Sequence, residues 1–213
     1  MTAEGIALSE LEQDALTEVV NIGVSRAAAS LRKMVGKQVL LSVPAIEIVT
    51  RSRAAALLGE RESSELIAVR QSFQGAFSGR AMLIFPGDKS LELVRAVTGD
   101  TLSAEEVSEM EEEALAETGN IILNGCLATM ANMLRRPLTM SIPSVCRGDG
   151  LELFECAADT QDTGLVLFLY INFSVLDRDV RGYIAMMMDM PSLAALKDLL
   201  GHFIAEVVGE VRA

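Results

Sequence analysis

Two stretches of the chain carry an acid, a glutamate and an asparagine at matched spacing: Asp14, Glu18 and Asn21, then Glu113, Glu117 and Asn120 ninety-nine residues later. Steps of four and three place each triplet on one side of a helix. A carboxylate one turn from an amide sets an anion beside a group that both donates and accepts hydrogen bonds. No nucleophile stands beside a base in either stretch, and asparagine cannot act as a general base. It can orient a water, and in phosphoryl hydrolysis positioning and electrostatics supply most of the catalysis. Glutamate on an exposed helix face is ordinary. Asparagine inside a helix costs roughly half a kcal/mol relative to alanine, because its amide competes for backbone partners. Two such asparagines, each three residues after a glutamate, call for a reason: a partner within the fold or a task outside it.

The elements that position these residues read as two long helices. Ser9 with Glu12 forms a capping box, and Leu8, Leu11, Ala15, Val19, Ile22 and Ala29 keep roughly helical spacing, which predicts a helix over 9–35 stopped by Gly36. In this reading Leu11, Ala15, Val19 and Ile22 turn toward the core and the triplet lies on the exposed flank. Ser103 with Glu106 opens a second long helix over 104–135, which Pro137 ends. The shared register runs on: 22 residues separate Asn21 from Pro44, and 22 separate Asn120 from Pro143. Residues 39–43 and 46–49 read as a strand broken or turned at Pro44, 51–59 as a short helix, 66–73 with 77–85 as a hairpin, and 90–97 as a helix. The second half continues with strands at 138–145, 151–157, 165–173 and 183–188 and a helix over 192–208. The fold class expected is α+β, with antiparallel strand pairs in a shared sheet and the two long helices adjacent on one side. A period near one hundred residues, present twice, marks one domain over 1–213 built from pseudo-twofold half-repeats at about 9–98 and 104–208.

Composition narrows the class of partner. Eighteen basic residues against thirty acidic ones give a net charge of −12, which argues against nucleic acid, whose phosphates require Lys and Arg. Cys126, Cys146 and Cys156 show no C-x-x-C spacing, so neither a metal set nor a disulfide framework is expected. No signal peptide is evident, and the longest apolar run, around 165–171, falls short of the ~20 residues that span a bilayer. A cytoplasmic protein with no membrane partner is expected. His202, the one histidine, reads as packing or surface, Met186 to Met188 as a buried strand, and the acidic run 109–113 as a solvated helix start. Gly87-Asp88-Lys89-Ser90 lacks the preceding glycine of a phosphate loop.

The doubled pattern of acid, three residues, Glu, two residues, Asn, then 22 residues and Pro resembles the signature of the CheC/CheX/FliY family of chemotaxis phosphatases, and its two copies and the chain length are similar to the CheC type. The resemblance implies hydrolysis of the acyl phosphate on an aspartate of a phosphorylated CheY-like response regulator. It implies no cofactor or metal held by this chain, the regulator bringing its own Mg²⁺. By position, Asn21 and Asn120 would align the attacking water, Glu18 and Glu117 would pair with a regulator lysine, and Asp14 and Glu113 would be partner contacts at the rim. A CheD-like deamidase is a further implied partner. The rival implied by the same fold is a non-catalytic scaffold of the chemotaxis or flagellar switch apparatus, in which the Glu and Asn pairs are absent. Two departures stand out. The first position is usually Asp or Ser, and Glu113 is one methylene longer than Asp. Gly119 before Asn120 fits the family, whereas Val20 before Asn21 adds bulk expected to hinder approach, so the second site is expected to be the stronger.

Overall fold

The computed structural model describes residues 7–36, 38–63, 65–98, 103–156, 165–175 and 178–211. In chain order the elements are α1 (Glu10–Val35), β1 (Val39–Thr50), α2 (Arg51–Arg61), β2 (Leu66–Gly75), β3 (Gly79–Pro86), α3 (Ser90–Thr98), α4 (Ala104–Glu109), α5 (Glu111–Met133), β4 (Leu138–Met140), β5 (Ser144–Gly148), α6 (Gly150–Cys156), β6 (Leu165–Val175), β7 (Arg178–Met187) and α7 (Met190–Val211). The seven strands form one sheet in the order β1-β6-β7-β3-β2-β4, with β5 also on β2, and every pairing is antiparallel.

Period-two alternation in the strands makes a core on each face of the sheet. On β3, Ala81, Leu83 and Phe85 join α1, α5 and α7 in the larger core. Met82 and Ile84 point the other way and pack with Ala54, Leu57 and Leu58 of α2 and Leu153 and Phe154 of α6. Met186 and Met187 divide between the same two cores. On α1 the buried stripe is Leu16, Val19, Val20, Val24, Ala27, Ala28 and Leu31, and each large member contributes roughly 1.5–3 kcal/mol by leaving water.

The halves are interleaved through their outer strands. β1, from the first half, pairs with β6 of the second, and β5, from the second, pairs with β2 of the first. The central contact is β3 against β7. The chain is thus a single α+β domain with one antiparallel sheet and with α1 and α5 side by side.

Several expectations are corrected. The buried stripe of α1 is shifted in phase: Leu11 is exposed at 57% and Ala29 is exposed, while Leu16 and Val20 take the core positions. The second long helix is broken at Met110 into α4 and α5. There the Glu111 carboxylate is drawn to the Arg147 guanidinium at 2.7 Å and accepts from the Ser90 hydroxyl. β1 runs through Pro44 with a bulge between Ser42 and Ala45, whereas the strand expected over 138–145 is interrupted at Ser141–Pro143. Of the strand expected over 151–157, residues 151–156 lie in the helix α6 and 157 is outside the described residues. Asp149 caps this helix by accepting from the Glu152 N–H at 2.8 Å, and the Glu152 carboxylate accepts from the Asp149 N–H at 2.9 Å.

Candidate functional site

α1 begins with the capping box its sequence predicts, and so does α4, the short helix that leads into α5. Ser9 and Ser103 accept from the N–H groups of Glu12 and Glu106, whose carboxylates accept from the cap N–H groups in return. These backbone N–H donors hold both glutamates below the usual carboxylate range. α1 stops at Gly36, in the left-handed region at φ 70. The helices cross at glycines: a Cβ on Gly23 would stand 2.8 Å from the Cys126 Cα, and one on Gly125 would stand 2.8 Å from the Ala27 Cβ. This contact sets the two motif-bearing helices side by side over the sheet. Burial within it pushes the Cys126 thiol up to about 12, so Cys126 packs as an apolar side chain.

In the first copy Asp14 and Glu18 are exposed and Asn21 is half-buried. The Asn21 amide is used in both directions by one residue: Nδ2 donates to the Val43 carbonyl at 3.0 Å, and Oδ1 accepts from the Val43 N–H at 2.8 Å. Val43 lies at the β1 bulge, where the ladder to β6 is out of step. Asn21 supplies the partners that the strand does not, and so pins α1 to β1. Beside it, Glu18, Asn21, Ile22, Ser25, Arg26 and Ala29 line a shallow groove of about 380 Å³.

In the second copy Glu113 and Glu117 are exposed and Asn120 is half-buried, but the asparagine is held otherwise. Asn120 Oδ1 accepts from Asn124 Nδ2 at 2.7 Å and from Gln71 Nε2 at 3.2 Å. Its own Nδ2 has no partner among the described residues. Gln71, on β2 beneath α5, is only 3% exposed. Its Nε2 also reaches Asn124 Oδ1 at 3.2 Å and the Ser141 carbonyl at 2.7 Å, and its Oε1 is buried without a hydrogen-bond partner. Neither Glu18 nor Glu117 forms an ion pair among the described residues.

The strand gaps explain why the copies differ. Ile142 holds the place in the second repeat that Val43 holds in the first, yet it is turned outward and 88% exposed. Ser141 closes that gap instead, donating its N–H to the Ser72 carbonyl at 2.9 Å and accepting from the Ser72 N–H through its hydroxyl at 3.0 Å. The residue before each asparagine also matters, though not as expected. Val20 is fully buried and points into the core, so its bulk does not obstruct approach from solvent. Gly119 lets α5 press on the sheet: a Cβ there would stand 2.5 Å from the Val69 Cβ. That close approach brings Asn120 within reach of Gln71.

Gln71, Asn124 and Ser141 were not among the residues the sequence singled out. Asn124 had a signal, being a further mid-helix asparagine one turn after Asn120. Gln71 had a fainter one, an amide set among the apolar residues of β2. His202 is exposed in α7. No helix among the described residues is long and apolar enough to cross a membrane.

The paired helices over one antiparallel sheet match the folds of solved FliY and CheX structures. Two family models of the CheC/CheX/FliY group match the chain. The family model described as chemotaxis phosphatase CheX matches residues 67–167, and that of the CheC-like family matches residues 11–48, so each match holds one motif copy. The CheY-P phosphatase CheC of Bacillus subtilis (strain 168) is 23% identical over 141 residues, 65% of this chain and 67% of that one. The flagellar motor switch phosphatase FliY of the same organism is 24% identical over 140 residues, 65% of this chain but only 36% of that longer protein. The crystal structure of Thermotoga maritima FliY superposes with a TM-score of 0.73, covering 93% of this chain and all of that one at 16% identity, a likeness of fold.

Proposed function

We propose that this chain hydrolyses the acyl phosphate of a phosphorylated CheY-like response regulator, chiefly at its second motif. The observation that carries this reading is the pairing of an exposed, unpaired Glu117 with an Asn120 whose carbonyl is anchored and whose amide nitrogen is open. Both sit on an outward helix flank, so the substrate is a protein surface that closes over them. The regulator would contribute the phosphoaspartate and the Mg²⁺ it carries, which neutralises phosphoryl charge. Asn120 Nδ2 donates to one lone pair of a water and leaves another directed at phosphorus. The water oxygen bonds to phosphorus, the bond to the aspartyl oxygen breaks, and the carboxylate leaves with the bond pair while the water's proton passes to phosphate. Positioning of this kind removes orientational entropy from the step. Glu117 would pair with a lysine of the regulator and hold α5 in place, with Glu113 at the rim. Glu18, Asn21 and Asp14 form the corresponding first surface.

The test is the lifetime of a CheY-like regulator labelled with acetyl phosphate, measured with this protein at substoichiometric amounts. A catalyst shortens it with turnover, and an unchanged or lengthened lifetime overturns the proposal. For the first copy, one observation favours a scaffold role: both polar groups of the Asn21 amide are already bound to Val43. Asn21 there completes the strand, and the face it occupies binds the regulator without matching the turnover of the second.

A further inference from the structure

Gln71 lies opposite the gap between β4 and β5: the flanking register pairs are Phe73 with Met140 and Arg70 with Ser144. Opposite the β1 bulge, between the pairs Ser42–Asn172 and Ala45–Tyr170, the other half carries Ile171, which is 2% exposed. The fold therefore accepts an apolar side chain at this place. A buried amide is the costlier choice, because its orphaned Oε1 carries a desolvation penalty on the order of 1–3 kcal/mol. Such a local violation is expected where a site demands it. Here the demand is visible, since Gln71 Nε2 and Asn124 Nδ2 both donate to Asn120 Oδ1. With two donors on the oxygen, the amide cannot rotate by half a turn without setting its NH₂ against them.

We infer that Gln71 is a positioning residue for the second site, fixing the Asn120 side chain so that its N–H donor, and not its carbonyl, faces the phosphoryl group. This rests on the function proposed above. Gln71 touches no substrate. It acts through Asn120, with Asn124 as the second donor and Gly119 setting the distance.

Gln71→Ile, the residue type used in the other half, is measured in an Asn21→Ala background so that the first site does not mask the result. The turnover of the phosphorylated regulator should fall about tenfold with KM changed less than twofold, while the urea midpoint changes little, because removing the orphaned Oε1 offsets the loss of the Nε2 bonds to Ser141 and Asn124. Loss of rate without loss of stability is an outcome that a merely structural role would not give. With Asn120→Ala already present and Asn21 intact, so that the first site still gives a measurable rate, Gln71→Ile should cause no further loss. Full turnover in Gln71→Ile, or a further loss in the Asn120→Ala background, overturns the inference. A separate readout judges the geometry if the parent protein proves to have no phosphatase activity: the Asn120 side-chain NH₂ signals in the NMR spectrum. They should be a sharp, inequivalent pair that broadens or shifts in Gln71→Ile, and unchanged signals would refute the positioning role.

Discussion

In the first motif copy the asparagine faces inward and completes a strand, and in the second it is held from behind and keeps a donor free. The two triplets agree in type, spacing and helix, so the helix alone does not make the difference. It lies in what each helix rests on. α1 meets a strand that bulges at Pro44 and presents the unpaired Val43 backbone to Asn21. α5 meets a strand gap that Ser72 and Ser141 close, leaving Asn120 to the amides of Gln71 and Asn124. A repeated helical motif thus specifies where two side chains sit along a helix, and the neighbouring strand decides which of their atoms are available.

The sharpest way to break this comparison is to remove each amide in turn. Asn120→Ala is expected to lower turnover at its site about a hundredfold, close to 3 kcal/mol at the transition state. Asn21→Ala should lower the total rate less than threefold. The double change should abolish nearly all stimulated dephosphorylation. Equal losses from the two single changes would mean that the Val43 bonds open readily and that the sites are alike.

Gly119→Ala probes the support of the second site. A methyl group 2.5 Å from Val69 forces α5 off the sheet, at a cost of about 1–3 kcal/mol in denaturant unfolding, and should stretch the Gln71–Asn120 bond and slow the reaction. A variant with parental stability and rate would show that α5 does not depend on this contact. The ranking reverses for stability at the asparagines themselves. Asn21→Ala leaves the Val43 N–H and carbonyl without their partner and should cost about 1–2 kcal/mol. Asn120→Ala should cost less, since Gln71 retains Ser141 and Asn124. Matched urea titrations of the two variants decide this.

The smallest effect concerns acid. Glu12 and Glu106 titrate below the ordinary 4.5 because the cap N–H groups stabilise their charged forms. A depressed folded value means that their stabilisation is complete above about 4.5 and fades as pH falls through the lowered values. Glu12→Gln and Glu106→Gln should each flatten the acid limb of the stability profile and leave neutral pH nearly unaffected. An unchanged acid limb would remove the caps from the account.

The motif was legible because it is local: its spacing needs nothing beyond one helix. The caps at Ser9 and Ser103 were legible for the same reason, as was the β2–β3 hairpin. What escaped depends on distant partners. Gln71 is 49 residues from Asn120 in the chain, and only the register of β2 under α5 brings them together. The 150–156 segment is short and apolar enough to fit either period, and the Asp149–Glu152 cap was the cue that favoured a helix. The phase error on α1 arose because Leu11 fits the periodic stripe, while the face that meets the sheet is set by Leu16, Val20 and Val24.

The interleaved outer strands bear on how the molecule is made. During synthesis β1 leaves the ribosome well before β6, its only neighbour in the sheet among the described residues, for Thr50 pairs with Leu165 and Val39 with Val175. At roughly 5–20 residues per second that is a wait on the order of ten seconds, in which Leu41, Val43 and Ile46 have no sheet to join. The first half cannot close as a unit while the second is unmade. A nascent chain stalled after β5 therefore exposes a long apolar strand to chaperones and to its neighbours on the polysome, and a slowed ribosome between α6 and β6 would raise its aggregation before any effect on the finished protein's stability appeared.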